Sequence, residues 1–478
     1  MNRAPTIETN NPNGEFKMIS AIALDLGSTS IKAGLLDQHG KLGNIVARHA
    51  PEIIVTGGRY ESDALAYAAA AEQVLAECIA QAGDCKALGL CSQRSSFLIW
   101  EQSTGQPLTP LISWQDNRGS SSCDALREHE RSIRRLTGLP LTPYYFAPKL
   151  RVVLQDNPGW RIRLERGELR AGTLDTFLIW RWSGGRHFVT DASMAARTLL
   201  MDIRQQRWSP QLCALFGIPL GILPGIKPSA GSNLQFENGL ILQASVGDQS
   251  AALFASISED QPEALVNLGT GCFVVRYLPK AKSVAEGYLH TLVYMDREQQ
   301  IHLASEGTLN SIAAALAPYP VEGCSVDDLA RDDIYCLAEP SGLGAPYFRS
   351  DIGIRFSRPV EHLSQSRIAG LLLEAVIFRV ARILEEFHRE CAIERVYLSG
   401  GLSGSSCLQQ GIALCVPFEV YRLQQGESSL HGAALLAAGM APASHRESVR
   451  ISVADDSQAL PKKFQRWKAW LDEVLASR

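Results

Sequence analysis

Asp25, Lys32 and the small turn between them are the first residues whose types and spacing could do chemistry. The turn, Gly27–Ser30, follows the apolar run Ile19–Leu24 and precedes a second apolar stretch, so the pattern predicts a hairpin of two strands. Small residues let backbone N–H groups and hydroxyls approach a phosphate, a carboxylate can hold hydrated Mg²⁺, and a lysine adds a point charge. The alternative is an ordinary hairpin turn in which Asp25 bonds its own backbone.

Two further turns repeat this pattern later in the chain. One lies at Gly269–Gly271 within the apolar stretch Leu265–Val275, and the other contains Gly400 and Gly401 after the run Val396–Leu398. The two hairpins indicate two related halves that face a common phosphate chain. Three glycine turns at strand ends predict a nucleotide-binding cleft.

Polar side chains at other strand ends are candidates for a substrate site. Arg94 follows the predicted strand Leu88–Cys91, and Trp114 ends the predicted strand Leu111–Trp114 ahead of a polar run. Because ligands of α/β folds bind at strand ends, Arg94 and the run Trp114-Gln115-Asp116-Asn117-Arg118 are candidate substrate groups. The alternatives are an exposed arginine and a core tryptophan.

Asp248 lies where a predicted strand ending at Gly247 meets an alanine-rich helix. A carboxylate at this point can be a helix N-cap, which is a common use of aspartate. It can also be a general base that takes the proton from an attacking hydroxyl. An aspartate in this position can do both.

The elements that must position these residues alternate between strands and helices, which predicts an α/β fold. Apolar residues recur at helical spacing over Ser62–Ala82 and Ile368–Cys391, and Phe464–Leu475 suits an amphipathic helix. The apolar, aromatic stretch Leu174–Trp182 fits either a helix or a strand. The acidic stretch Glu259–Glu263 is the expected domain boundary.

Length and composition exclude several classes of protein. A chain of 478 residues is too long for one hydrophobic core, and a net charge of -4 argues against a nucleic-acid partner. No apolar run is long enough to span a membrane. The 11 cysteines lack CxxC pairs, as expected for reduced thiols of a cytoplasmic protein. The polar residues 1–17 predict a disordered lead-in rather than a signal peptide.

Taken together, the motifs resemble the FGGY carbohydrate kinases, a family whose members phosphorylate glycerol, xylulose, ribulose, fuculose and gluconate. The similarity runs from about Ile19 to about Ala441, in the family's order. The segments that carry it are Gln93-Arg94, Trp114, Thr137-Gly138-Leu139 with Tyr144, Ala147-Pro148-Lys149-Leu150, Gly172–Thr176, Val189-Thr190-Asp191, Gly247-Asp248-Gln249 and Gly269–Phe273.

The resemblance implies a two-domain actin-like (ribonuclease H-like) ATPase fold with a cleft between the domains. It implies residues 18–258 as a sugar-binding N-terminal domain, 259–445 as a nucleotide-binding C-terminal domain, and 446–478 as a tail with a helix. The implied partners are ATP or ADP and a small polyol or keto-sugar, with Mg²⁺ as the metal. Family members form monomers, dimers and tetramers, so a homodimer is among the expected states.

The resemblance also implies roles for single residues. Asp248 is the implied catalytic base and Asp25 the implied magnesium ligand. The implied acceptor-binding residues are Arg94, Ser95, Trp114, Tyr144, Asp248, Gln249 and Phe273. The implied nucleotide-binding residues are Ser28, Thr29, Ser30, Lys32, Gly269, Thr270, Gly400, Gly401 and Ser405.

Departures from the family pattern bear on the substrate and on the nucleotide. Ser95 stands where glycerol kinases carry a glutamate, and a serine accepts fewer hydroxyls than a carboxylate. Ala313 replaces a usual glycine, Ser405 replaces the asparagine near adenine, and the segment between Gly307 and Ser341 is short.

We therefore expect an ATP-dependent kinase that phosphorylates a terminal hydroxyl of a glycerol-like polyol or of a keto-sugar such as xylulose or ribulose. The alternative is a non-catalytic sugar-binding or regulatory protein that retains the kinase fold. A protein-binding actin-like ATPase would share the hairpins but leaves the polar run after Arg94 without a role.

Overall fold

The computed structural model describes residues 18–279, 286–424, 426–442, 447–453 and 458–477. The expected lead-in 1–17 lies outside these residues. The chain forms two compact units: the first comprises 1–255, 291–303 and 427–443, and the second comprises 256–290, 304–426 and 444–478. The first change of unit lies close to the expected boundary at 258. Two later segments return to the first unit, and the last segment belongs to the second unit instead of forming a separate tail.

The first unit contains two larger sheets. The six-stranded sheet has the order Ala230–Gln235, Ile241–Gly247, Ala87–Ser92, Ile19–Leu26, Ser30–Asp37 and Leu42–His49, and the five-stranded sheet has the order Ile54–Thr56, Arg59–Ser62, Leu111–Ile112, Phe97–Glu101 and Leu169–Thr173. Two small sheets pair Val189–Asp191 with Gly225–Lys227 and Met201–Asp202 with Arg207–Trp208.

The helices of the first unit cover these sheets. They are Ala64–Ile79, Ser120–Ala125, Glu130–Thr137, Phe146–Asp156, Pro158–Glu165, Leu174–Trp182, Ala192–Ala196, Pro210–Phe216, Asp248–Ser256 and Ser428–Ala438, with short 3₁₀ turns at Arg127–His129 and Leu220–Ile222. The helix Ser428–Ala438 packs directly on the strand Ala87–Ser92, because a Cβ at Gly89 would lie 2.1 Å from the Ala433 carbonyl oxygen. This close packing explains why a segment so late in the sequence belongs to the first unit.

The second unit is built on a seven-stranded sheet, apart from residues 291–303 of its first two strands, which are assigned to the first unit. Its order is Leu289–Met295, Ile301–Leu309, Cys272–Tyr277, Glu263–Leu268, Arg395–Ser399, Glu419–Leu423 and Ser448–Arg450, and a separate pair joins Cys336–Leu337 to Arg355–Phe356. The helices are Ile312–Leu316, Gln365–Glu390, Ser406–Cys415 and Ala459–Ala476, with 3₁₀ turns at Val321–Gly323, Val326–Asp328 and Gly401–Gly404. The 26-residue helix Gln365–Glu390 lies in the core of this unit.

The two main sheets repeat one topology. In each unit an antiparallel hairpin is extended by a third antiparallel strand on one side and by two parallel strands on the other. The first strands of the two hairpins are Ile19–Leu26 and Glu263–Leu268, and each lies at the centre of its sheet. This repeat confirms the two related halves that the similar hairpin sequences predicted.

Several predicted elements differ in detail from the structure. The first helix begins at Ala64, because the Asp63 carboxylate accepts hydrogen bonds from the N–H groups of Leu65 and Ala66. The stretch left open as helix or strand, Leu174–Trp182, is a helix. The strand predicted to include Trp114 ends at Ile112. No helix within the described ranges is long and apolar enough to cross a membrane.

Candidate active site

The first glycine turn connects the two strands of the hairpin in the first unit. The Gly27 N–H donates to the Ser30 carbonyl oxygen at 3.1 Å, and a Cβ at Gly27 would lie 2.7 Å from that oxygen, so only glycine fits. The Tyr67 hydroxyl donates to the Gly27 carbonyl at 2.7 Å. These two hydrogen bonds fix the turn, and Thr29 at its tip is exposed.

Asp25 lies one residue pair from this tip, directly across the hairpin from Lys32. Its Oδ1 atom is buried and has no hydrogen-bond partner among the residues that the structure describes. Burial raises the pKa of the Asp25 carboxyl to about 7, and the nearby Asp248 carboxylate raises it further, against the opposing effects of Cys91 and Lys32. A buried carboxylate oxygen without a donor is suited to a cation or to water held by a cation.

Lys32, predicted to supply a point charge for phosphate, forms an ion pair in the structure. Its ammonium group lies 2.7 Å from both carboxylate oxygens of Glu427, which precedes the helix Ser428–Ala438. Sequence reasoning missed Glu427 because 395 positions separate the two residues. The pair balances the lysine charge and fixes the ammonium group near Asp25.

Asp248 is the first residue of the helix Asp248–Ser256 and follows the strand Ile241–Gly247 without a break. Its Oδ1 accepts the Gln249 N–H at 2.7 Å and lies 3.5 Å from the Arg94 Nε. The Arg94 guanidinium also donates to the Gln249 side-chain carbonyl. The structure therefore brings Arg94 to Asp248 and Gln249, although 155 positions separate Arg94 from Gln249.

The electrostatic surroundings of Asp248 favour a base of moderate strength. Burial raises the pKa of its carboxyl, while Arg94, the Gln249 N–H and Arg197 lower it. A raised pKa brings a carboxylate closer to the range in which it can accept a proton efficiently near neutral pH. Its side chain is still 30% exposed, so a substrate hydroxyl can reach it.

A short helix, Ala192–Ala196, fixes the backbone immediately before Asp248. The Ser193 hydroxyl oxygen accepts the Gly247 N–H at 2.8 Å. The buried Asp191 carboxylate accepts from Ser193 N, Met194 N and the Ser229 hydroxyl at 2.8, 3.0 and 2.6 Å. A Cβ at Gly247 would lie 2.9 Å from the Cδ of Arg94, so a larger residue there would displace the Arg94 side chain.

The other predicted acceptor-binding residues of the first unit lie on loops. Trp114 and Tyr144 are 38% and 49% exposed, with ring centroids 6.2 Å apart, so neither is a core residue. Ser95 is buried, and its hydroxyl donates to the Arg197 carbonyl at 3.0 Å. Ser95 thus uses its hydroxyl within the protein, in a backbone conformation with φ of 64°.

The remaining predicted residues belong to the second unit. The turn at Gly269 closes with a 2.8 Å bond from its N–H to the Gly271 carbonyl, and the Thr270 carbonyl accepts from Ala313 N at 3.1 Å. Gly400 has φ of 87°, and a Cβ there would lie 2.5 Å from the Leu268 carbonyl oxygen.

The other residues of this group lie near the same sheet. Gly401 begins a 3₁₀ turn, and the Ser405 hydroxyl caps the helix Ser406–Cys415. Phe273, predicted to bind the acceptor, lies on the strand Cys272–Tyr277 with its side chain partly exposed.

No cluster of three or more His, Cys, Asp or Glu side chains suited to a metal occurs among the described residues. The cysteines are all free, in agreement with the reduced thiols expected from their spacing.

Comparisons with known proteins identify the family of the chain. Residues 20–265 match the N-terminal domain model of the FGGY family of carbohydrate kinases, and residues 264–441 match the C-terminal domain model. A glycerol kinase of Alkalilimnicola ehrlichii is 33% identical over 88% of this chain and 90% of its own length. A glycerol kinase of Rhodopirellula baltica is 30% identical over 96% of this chain and 92% of its own length.

Solved structures confirm the expected fold. The crystal structure of Plasmodium falciparum glycerol kinase with ADP matches with a TM-score of 0.83 at 22% identity, and it covers 97% of this chain and 100% of that chain. At this level of identity the likeness establishes the architecture.

Proposed function

The chain belongs to the FGGY family of carbohydrate kinases, and from this premise we propose that it transfers the γ-phosphate of ATP to a terminal hydroxyl of a small polyol or keto-sugar. The observation that carries the proposal is the group formed by Asp248, Arg94 and Gln249 at a strand end. The Asp248 carboxylate can accept a proton, and the Arg94 guanidinium and the Gln249 amide beside it can bind hydroxyls.

In this proposal Asp248 accepts the proton of the attacking hydroxyl. Arg94 and Gln249 orient the acceptor, and Trp114 and Tyr144 pack against its carbon chain. Phosphoryl transfer needs positioning and charge neutralisation more than covalent help, so one base and a correctly placed acceptor suffice on this side of the reaction. We place Phe273 among the acceptor-binding residues as well, whereas Ser95, also predicted there, is buried with its hydroxyl bonded to the Arg197 carbonyl.

The phosphate side combines a small turn with a carboxylate. Backbone N–H groups and hydroxyls of Ser28, Thr29 and Ser30 would bind phosphate oxygens, and the Asp25 oxygen without a partner fits a hydrated Mg²⁺. When bound, Mg²⁺ would neutralise charge on the phosphates. The Lys32 ammonium, paired with Glu427, would donate a hydrogen bond to a phosphate oxygen, while Gly269, Thr270, Gly400, Gly401 and Ser405 would bind the nucleotide.

The identity of the acceptor depends on the departure at Ser95. The curated relatives named above are glycerol kinases, which supports a glycerol-like polyol. Without a carboxylate at Ser95, hydroxyl binding falls to Arg94, Gln249 and Asp248, which leaves more room for a longer chain. No finding favours the non-catalytic alternative.

A coupled assay of ADP formation tests the proposal with a panel of acceptors. The purified chain, with MgATP, is given glycerol, erythritol, xylulose, ribulose and sedoheptulose separately. We expect one polyol or ketose to give a kcat/KM at least about tenfold above the others. Equal, background-level rates with every acceptor would overturn the assignment of this site to small polyols and keto-sugars.

A further inference from the structure

Lys149 has no role in the site described so far, yet it is one of the most deeply buried charged side chains of the first unit. It lies on the helix Phe146–Asp156 and is 0% exposed. Its ammonium group donates to the Ser95 carbonyl at 3.0 Å and to the Ser113 carbonyl at 2.8 Å. We propose that Lys149 is a positioning residue for the acceptor site, because it ties the Arg94–Ser95 turn to the Ser113–Trp114 loop.

Both carbonyl groups belong to peptides next to proposed acceptor-binding residues. The Ser113 carbonyl is part of the peptide bond to Trp114, and Ser95 directly follows Arg94. Ser95 has a left-handed φ of 64°, which few non-glycine residues adopt without support from their surroundings. Its carbonyl is held by Lys149 and its hydroxyl by the Arg197 carbonyl, so two bonds maintain this conformation.

A second bond joins the same two loops. The Trp114 N–H donates to the Ser96 hydroxyl oxygen at 2.9 Å, and that hydroxyl donates to the Gln93 side chain at 2.9 Å. The two loops are therefore joined at two points, through the Lys149 ammonium group and through the bond between Trp114 and Ser96. A shift of either loop would displace Arg94 relative to Trp114, and small displacements in a binding site lower both affinity and rate.

The burial of Lys149 is energetically unfavourable in these surroundings. Among the described residues no carboxylate lies within ion-pair distance of its ammonium group, and Asp116 nearby is already bonded to Arg118 and to Tyr60 N. A buried ammonium without a counter-ion is expensive, and burial lowers the pKa of Lys149 to about 7. The Phe97 ring, 5.8 Å from the ammonium group, gives modest compensation.

A second buried lysine provides the contrast. Lys463, in the second unit, is 1% exposed but forms an ion pair with the buried Glu374. That pair fits a role in the core of its own unit. Lys149 instead bonds only to backbone oxygens of loops that carry proposed acceptor-binding residues, which is the arrangement expected of a residue that positions them.

The test compares the full-length variants Lys149→Met and Lys463→Met in steady-state kinetics with the best acceptor. Methionine fills similar volume but donates no hydrogen bond. For Lys149→Met we expect the acceptor KM to rise about tenfold while the ATP KM changes less than about twofold. For Lys463→Met we expect both KM values to stay within about twofold. An unchanged acceptor KM in Lys149→Met, or equal increases in both KM values, would overturn the inference.

Lys149→Gln provides the rescue and a safeguard against misfolding. Its amide nitrogen has two donors for the two carbonyls and carries no charge. We expect an acceptor KM between those of the native protein and of Lys149→Met. If the methionine variant does not fold, the acceptor KM and the ATP KM of the glutamine variant are compared with those of the native protein. An acceptor KM in Lys149→Gln as high as that in Lys149→Met would show that the hydrogen bonds of Lys149 do not determine acceptor binding.

The inference rests on the proposed function, so Arg94→Ala is measured in parallel. An acceptor KM unchanged by Arg94→Ala would mean that the acceptor site itself is wrongly assigned. An acceptor KM raised by Arg94→Ala but not by Lys149→Met would leave the acceptor site in place and reject only the positioning role of Lys149.

Discussion

At the scale of single residues, Asp248 decides whether the site is catalytic. We expect Asp248→Asn to lower kcat by about 100- to 10,000-fold, because the amide cannot accept the hydroxyl proton. Binding of the acceptor should stay within a few-fold, since Arg94 and Gln249 remain. Isothermal titration with the acceptor, beside the ADP-release assay, separates the two effects. A variant that retains most of its kcat would remove Asp248 from the role of base.

Lys149 makes a separate prediction about the dependence of stability on pH. Its pKa is about 7 in the folded protein and 10.5 without burial, so between these values the unfolded state binds more protons. Stability from this group therefore increases as pH rises from 7 towards 10.5. The free energy of unfolding of the native protein, minus that of Lys149→Met, should increase by about 2 kcal/mol between pH 7 and pH 9.

Denaturant unfolding at the two pH values measures this difference, and the exposed Lys41 gives a control variant, Lys41→Met. We expect the control to follow the native protein at both pH values. Parallel pH dependence of the native protein and Lys149→Met would contradict the burial of an uncompensated ammonium.

At the scale of elements, the helix Ala192–Ala196 positions the base through one hydrogen bond. Ser193→Ala removes the acceptor for the Gly247 N–H and leaves that buried donor unpaired. We expect kcat to fall roughly tenfold because Asp248 moves relative to the acceptor, with little change in the ATP KM.

The same strand offers a matched control for this substitution. Ser245 lies two residues before Gly247, and its buried hydroxyl has no hydrogen-bond partner. Ser245→Ala should therefore retain nearly native kcat. If Ser193→Ala and Ser245→Ala have the same kcat, the Ser193 bond does not position the base.

The sequence predicted the elements that depend on local pattern. Both hairpins, the strand before Asp248 and the long helix Gln365–Glu390 follow from runs of apolar residues at the period of a strand or a helix. Leu174–Trp182 could not be decided, because seven of its nine residues are buried in the helix and such a stretch lacks a polar face. An element is therefore predictable when its own residues show which of its faces is buried.

The interactions that sequence reasoning missed all join distant segments. Glu427 pairs with Lys32 across 395 positions, and Lys149 bonds Ser95 across 54 positions. The sequence around Glu427 or Lys149 does not predict the residue that each one contacts. Arg94, Gln249 and Asp248 were predicted as one site only through the resemblance to a family, and their mutual contacts became visible in the folded chain.

At the scale of the whole molecule, the repeated sheet topology explains why the glycine turns recur. In each unit the central hairpin places a small turn at the end of the same pair of strands. The first turn lies beside Asp25 and Lys32, and the second contains Thr270. Under the proposed function, both turns would bind phosphate groups of the nucleotide.

The central claim is that this chain phosphorylates a small polyol or keto-sugar, and mass spectrometry of the product tests it most directly. Purified protein is incubated with MgATP and the best acceptor of the panel, and ADP and the phosphorylated acceptor are quantified together, with Asp248→Asn as the blank. We predict equal molar amounts of the two products, dependent on the acceptor and absent from the blank. ADP formation without a phosphorylated acceptor, or the same yield from Asp248→Asn, would contradict the account.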